Sequence, residues 1–175
     1  MSFIEIAEKR YSSRKYDFER EVEEEKIDHI LSAARLAPSA CNGQPYHITV
    51  LRGDSARAVA DATTEMGMNR FTKDAPVMLV ISEEPYVKTA AFGAKIKKND
   101  YRSIDIGIVA SYIALAAEDV GLGACILGWF SDERVREICG IKSTVRLVIS
   151  LGYAKDAPIP KKRKDIERLV TKIYK

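Results

Sequence analysis

Apolar positions along this chain switch between a spacing of three to four residues and short unbroken runs of β-formers, and each switch marks an element. Phe3, Ile6 and Ala7 recur at helical spacing behind Ser2, and Glu5 completes a capping box, so the spacing predicts an opening helix that ends near Arg10. The acidic stretch Glu23 to Glu25 suits a helix amino end. Ile27, Ile30, Leu31 and Ala34 then share one face of a second helix that Pro38 stops. The run Tyr46 to Leu51 reads as a strand closed by Arg52-Gly53-Asp54, and Val77 to Ser82 as a second, more buried one. Ala56, Val59 and Ala60 place a helix between them.

The longest helical pattern runs from Ser103 to Val120. Ile104, Ile108, Val109, Tyr112, Ile113, Leu115 and Ala116 leave few polar positions on any face, as expected of a helix buried centrally or in a subunit interface. Gly121 ends it, Ala124 to Leu127 forms a short strand, and Ser131-Asp132-Glu133 begins a helix closed by Gly140. Val145 to Leu151 is the last strand. From about residue 155, Pro158, Pro160 and the basic run Lys161 to Lys164 read as an extended arm. Ile166, Leu169, Val170 and Ile173 give it a final amphipathic segment that needs a surface to pack against. Helices and strands interleave irregularly, without repeats or low-complexity linkers, which predicts one α+β domain over residues 1–175 in place of a regular doubly wound sheet.

A hydrophobic content of 46% is enough for a proper core at this length. The net charge of +3, from 28 basic and 25 acidic residues, gives no whole-surface field for nucleic acid or anionic lipid, so neither partner is expected. Cys41, Cys125 and Cys139 form no CxxC pair, which argues against a disulfide framework or a zinc site and fits a reducing cytoplasm. The amino terminus lacks the apolar region of a signal peptide, and Ile106 to Ala117 falls short of the roughly 20 residues that cross a bilayer, so a soluble cytoplasmic protein is expected.

Four constellations carry candidate chemistry. In RYSSRKY, Arg10, Ser12 and Arg14 supply two guanidinium forks and a hydroxyl that match a phosphate group. In APSACNGQPYHITVL, Ser39, Asn42 and Gln44 offer hydrogen bonds while Ala40 and Gly43 let a flat ring approach the backbone. GLGACILGWF begins like a dinucleotide fingerprint, but Ile126 occupies the third glycine position and the motif runs from helix to strand, so that reading fails. Read as a strand ending beside a ligand, it offers the backbone N–H groups of Gly128 and Trp129. In IPKKRKDIE, Lys161 and Arg163 alternate in an extended arm and point the same way. Each alone has an ordinary structural explanation as a cap, a turn, core packing or a solvated tail.

Taken in order, the four resemble the nitroreductase family from about Phe3 to Leu169. The resemblance implies a mostly antiparallel sheet flanked by helices, and a homodimer with a swapped C-terminal arm and FMN at the subunit interface. It places the FMN phosphate on Arg10, Ser12 and Arg14, with Tyr11 alongside and Lys161 and Arg163 returning to it. It brings Pro38, Ser39, Ala40 and Asn42 to the flavin from the other subunit, and a backbone N–H from the Ile126, Leu127, Gly128 and Trp129 stretch to the hydride-accepting nitrogen. Two departures stand out: Met68 and Phe71 fall near the position that holds the ring's pyrimidine carbonyl in larger relatives, leaving Asn69 or Arg70 as a loose substitute, and the stretch 84–102 is a shortened lid.

The implied activity is ping-pong transfer of hydride from NADH or NADPH through FMN to a small acceptor such as a nitroaromatic or quinone. The cofactor performs the hard step, which accords with the absence of a triad, paired acids or an HExxH motif. Dehalogenation, dehydrogenation, flavin degradation, or flavin binding without turnover stay open as alternatives. His29, His47 and Cys41 read as structural.

Overall fold

The computed structural model describes residues 1–159 and 161–174. Helix α1 (Phe3–Lys9) is capped by Ser2 and Glu5 in a reciprocal box, a device that contributes about 1 kcal/mol, and Arg10 is its C-cap. Helix α2 (Glu24–Arg35) follows, then strand β1 (Tyr46–Arg52), helix α3 (Gly53–Ala62) and strand β2 (Val77–Glu83). Helix α4 (Lys88–Lys97), the long helix α5 (Tyr101–Asp119), strand β3 (Gly123–Leu127), helix α6 (Asp132–Cys139) and strand β4 (Val145–Gly152) complete the body. The last element is a single helical turn, α7 (Ile166–Leu169).

The four strands pair antiparallel in the order β1-β2-β4-β3, so the sheet is α+β in kind and β3 is an edge. Strand β2 is buried on both faces, which explains its continuous apolar run. Val77, Leu79 and Ile81 pack with α2 and α5 on one side, while Met78 and Val80 pack with α3 and α6 on the other. A sheet between two helical layers results.

Helix α5 divides its apolar surface. Ile106, Val109, Ala110, Ile113, Ala114 and Ala117 face the core, whereas Ile104 and Tyr112 stay exposed. Three departures from the expected pattern have local causes. Gly53 starts α3 with a φ of +57° where a closing turn is expected. Helix α4 lies inside the shortened lid, and its only buried residue is Ala90, with Phe92 and Ile96 facing outward, so it lacks the apolar face that announces a helix. In the arm, Ile166, Leu169, Val170 and Ile173 are all exposed and helical geometry stops at Leu169; Pro160, assigned to the same arm, lies outside the described residues. Among the described residues no helix is long and apolar enough to cross a membrane, and no cluster of His, Cys, Asp and Glu could hold a metal ion.

Candidate functional site

The chain leaves α1 at Arg10 in extended geometry and runs along the free edge of β3. Ser12 bridges to Ala124, and the Ser13 N–H donates to the Ala124 carbonyl at 3.1 Å. This contact explains the GLG sequence. A Cβ on Gly123 would stand 2.8 Å from the Ser13 Cβ, so only glycine admits the loop. Gly121 is required for another reason, a φ of +74° at the end of α5.

Asp156, just past β4, reaches back to the same loop. Its carboxylate accepts the Ser13 hydroxyl at 2.6 Å and the Arg14 N–H at 2.9 Å. The Tyr11 phenol donates to its carboxylate at 3.1 Å and to its backbone carbonyl at 2.6 Å. Burial pushes the Asp156 pKa up, but these donations outweigh it and hold the carboxyl below the usual carboxylate range. Tyr16 anchors the loop's far end from the core, its hydroxyl 2.8 Å from Ser150 Oγ.

Ser12 and Arg14 share one side of the loop, next to the Cys125 thiol. Burial raises that thiol's pKa, and the Arg14 charge and a Ser12 hydrogen bond pull against the rise. The exposed Arg14 guanidinium lies 5.9 Å from the centroid of the Phe71 ring. Arg10 lies instead near Glu118 at the end of α5, where burial raises the carboxyl and Lys9 and Arg10 lower it.

Further along β3 the alternation of the pleat sets the chemistry. Because the Ala124 carbonyl faces the free edge, the N–H of Ile126, two residues on, faces it too. Leu127 is buried in the α3–α6 layer, while Ile126, Gly128 and Trp129 are exposed. A Cβ on Gly128 would meet nothing within 4 Å, so the backbone there borders open space. Asn69, with a φ of +48°, ties this stretch down: its Nδ2 donates to the Trp129 carbonyl at 3.0 Å.

The second constellation lies elsewhere. Cys41, Asn42 and Gln44 take φ values of 52°, 51° and 45°, and each non-glycine residue held there costs about 1–3 kcal/mol. Ser39 Oγ accepts the Gln44 N–H at 3.0 Å, Asn42 Oδ1 accepts the Gln44 amide at 3.1 Å, and the Ala40 N–H donates to Asp105 at 3.0 Å. Asp105 sits on α5, 3% exposed, and its Oδ2 has no partner among the described residues. Pro38 is exposed at the start of this loop. The loop feeds β1, at the opposite edge of the sheet from β3, three strand spacings or roughly 14 Å away. One chain therefore does not bring the two loops together. Lys161 and Arg163 are exposed and make no hydrogen bond among the described residues.

Asp156 and Asp105 are the functional candidates that sequence reasoning missed. Asp156 had one signal, a lone acid at the root of a basic arm; Asp105 had another, a charge in an otherwise apolar helix. A groove of about 420 Å³ beside Phe18, Arg57 and Lys73 lies apart from these loops. Its cations are already paired, Arg52 with Glu24 at 3.0 Å, Arg57 with Asp54 at 2.6 Å and Lys73 with Asp61 at 3.1 Å.

Fold and loops together define an α+β protein with an antiparallel sheet between helical layers and an arginine-bearing loop laid along its edge strand. The nitroreductase family model matches residues 7–153, and the chain belongs to the nitroreductase family. It is 31% identical to a protein of Thermus thermophilus named NADH dehydrogenase, over 93% of this chain and 91% of that one. A solved structure described as an FMN-dependent nitroreductase from Clostridium difficile is 31% identical, with a TM-score of 0.74 over 94% of this chain and 93% of that one. A nitroreductase family protein from Streptococcus pneumoniae shares the fold at a TM-score of 0.83, 21% identity, and coverage of 98% and 100%.

Proposed function

We propose that the chain is an FMN-dependent NAD(P)H oxidoreductase that works as a homodimer with FMN at the subunit interface. The observation that carries this reading is the loop bearing Ser12 and Arg14 laid beside a strand edge whose Ile126 N–H and open Gly128 face the same side. A hydroxyl and a guanidinium suit the phosphate, and a backbone donor on the free strand edge beside a residue without a side chain suits the rim of a flat ring. The residues fit the cofactor. FMN, when bound, supplies hydride acceptance from NADH or NADPH and, in a second half-reaction, reduction of an acceptor such as a nitroaromatic or quinone.

The chain's own work is binding and orientation. Ser12 and Arg14 hold the phosphate, Arg10 turns to it from beside Glu118, and Lys161 and Arg163 join from the swapped arm; Tyr11 stands alongside with its phenol on Asp156. Ile126, Leu127, Gly128 and Trp129 border the ring, with Asn69 fixing the Trp129 carbonyl. Pro38, Ser39, Ala40 and Asn42 reach the ring of the partner subunit. This last role follows from their position at the far edge of the sheet, and the exposed Ile104 and Tyr112 of α5 and Phe3 and Ile4 of α1 supply apolar surface for the pairing. The names of the Clostridium and Thermus relatives support the cofactor and the donor.

The test is a spectrum of the purified protein, identification of heat-released cofactor against standards, and anaerobic mixing with NADH. Oxidised-flavin bands that NADH bleaches are expected. A colourless protein that takes up no added FMN would sink the reading, and a flavin that NADH fails to bleach would leave a binding protein without turnover.

A further inference from the structure

Asp156 stands where β4 hands over to the C-terminal arm, outside every motif that the sequence offers. Its grip falls on Tyr11, Ser13 and the Arg14 N–H. In an extended segment, Tyr11 and Ser13 alternate with Ser12 and Arg14, so holding the first pair turns the second pair the other way. The structure shows that outcome: Ser13 is fully buried against Gly123, while Arg14 is exposed with its guanidinium over the Phe71 ring.

We infer that Asp156 is the positioning residue of this loop, holding Ser12 and Arg14 in the orientation that receives the FMN phosphate and coupling that orientation to the root of the arm carrying Lys161 and Arg163. The inference rests on the reading that this loop binds the phosphate. Charge alone argues the opposite way. A carboxylate beside an anion site repels the anion, so removing it tightens binding if Coulomb repulsion dominates and weakens binding if orientation dominates.

Two variants separate these cases. Asp156→Asn removes the charge and one acceptor: with Oδ1 on the Arg14 N–H, its amide nitrogen can only donate, so the Ser13 and Tyr11 hydroxyls must turn from donating to accepting and the charge-assisted bonds become weaker neutral ones. Ser13→Ala removes the shortest of the carboxylate's contacts, at 2.6 Å, from a residue that does not face the anion. Fluorescence titrations with FMN and with riboflavin, which lacks the phosphate, are read beside thermal unfolding. FMN affinity is expected to fall about tenfold in Asp156→Asn and in the same direction in Ser13→Ala. Riboflavin affinity should not move, and the double variant should be no worse than the weaker single one.

Unchanged or tightened FMN binding in Asp156→Asn overturns the inference while leaving the function intact. Equal loss of FMN and riboflavin also overturns it, since Asp156 would then hold only the fold. If Asp156→Asn does not fold, Ser13→Ala decides alone. A wild-type protein that binds neither flavin removes the functional reading and this inference with it.

Discussion

Ser13 lies against Gly123 so closely that a Cβ on the glycine would come within 2.8 Å of the serine's own Cβ and 3.0 Å of its hydroxyl. The loop carrying Ser12 and Arg14 is therefore seated on the strand by the absence of one side chain. Gly123→Ala should displace the loop, costing about 1–3 kcal/mol of stability through overpacking and weakening FMN binding as well. Gly121→Ala is the control, since its site is open but its φ is +74°. It should cost about 1–2 kcal/mol and leave FMN affinity alone. Denaturant unfolding and flavin titration of both variants check the contrast, which fails if Gly123→Ala binds FMN like the wild type.

Arg14 is exposed, and its contact with the core is the Phe71 ring at 5.9 Å. Its removal should leave the fold nearly untouched, at a cost below about 1 kcal/mol. Loss of a charge-assisted pair with phosphate is larger, about 1.5–3 kcal/mol, so Arg14→Ala should release FMN readily. Arg14→Lys should fall between the two, because it keeps the charge and loses the planar fork. Fluorescence titration reads all three proteins, and equal affinity in Arg14→Ala would remove Arg14 from the site.

How far the pattern of residues could carry the fold is clear from particular elements. The α1 box, the stripe of α2 and the double-sided run of β2 were legible because each pattern is local and each is buried as its period demands. Helix α4 was not, since Phe92 and Ile96 point outward and leave no core-facing stripe. Ser12 and Arg14 were legible as anion ligands by residue type. Asp156 and Asp105 were not, because their roles lie in contacts with Ser13 and Ala40, far away in the chain. The left-handed backbone at Cys41 and Gln44 had no signal either, since of the three residues held there only Asn42 is of a type that favours it.

Gly128 gives a different kind of prediction, because nothing among the described residues lies within 4 Å of a Cβ placed there. Gly128→Ala should leave the flavin-free protein within about 0.5 kcal/mol of wild type. If that open space takes the ring, the same methyl obstructs it and FMN affinity falls. Unfolding of the flavin-free protein together with FMN titration separates the two effects. Unaltered FMN binding would place the ring elsewhere.

The depressed Asp156 carboxyl sets a pH dependence with a definite sign. A folded value below the ordinary one, about 3.9, means that its contribution is complete above that pH and is lost as pH falls through the folded value. The stability difference between wild type and Asp156→Asn should stay flat from neutral pH to about pH 5 and shrink below about pH 4. Urea unfolding at stepped pH measures it. A gap that closes between pH 7 and 5 would assign the effect to another group.

Asp105 holds the strained loop at the other edge of the sheet through one hydrogen bond, 3.0 Å from the Ala40 N–H, while its second oxygen is buried without a partner among the described residues. Asp105→Ala leaves that N–H unpaired, at a cost of about 1–3 kcal/mol, and frees Cys41, Asn42 and Gln44 to relax from left-handed geometry. Asp105→Asn keeps the acceptor and puts an amide donor where the orphan oxygen sits, so it should cost less than about 1 kcal/mol. Hydrogen exchange at the Ala40 amide distinguishes the two directly: protection should vanish in the alanine variant and persist in the asparagine variant. Because the loop is proposed to serve the partner subunit's flavin, Asp105→Ala should also loosen FMN in the dimer while leaving the Arg14 loop unaltered. Protection at Ala40 that survives Asp105→Ala would show that the loop holds its shape without the carboxylate.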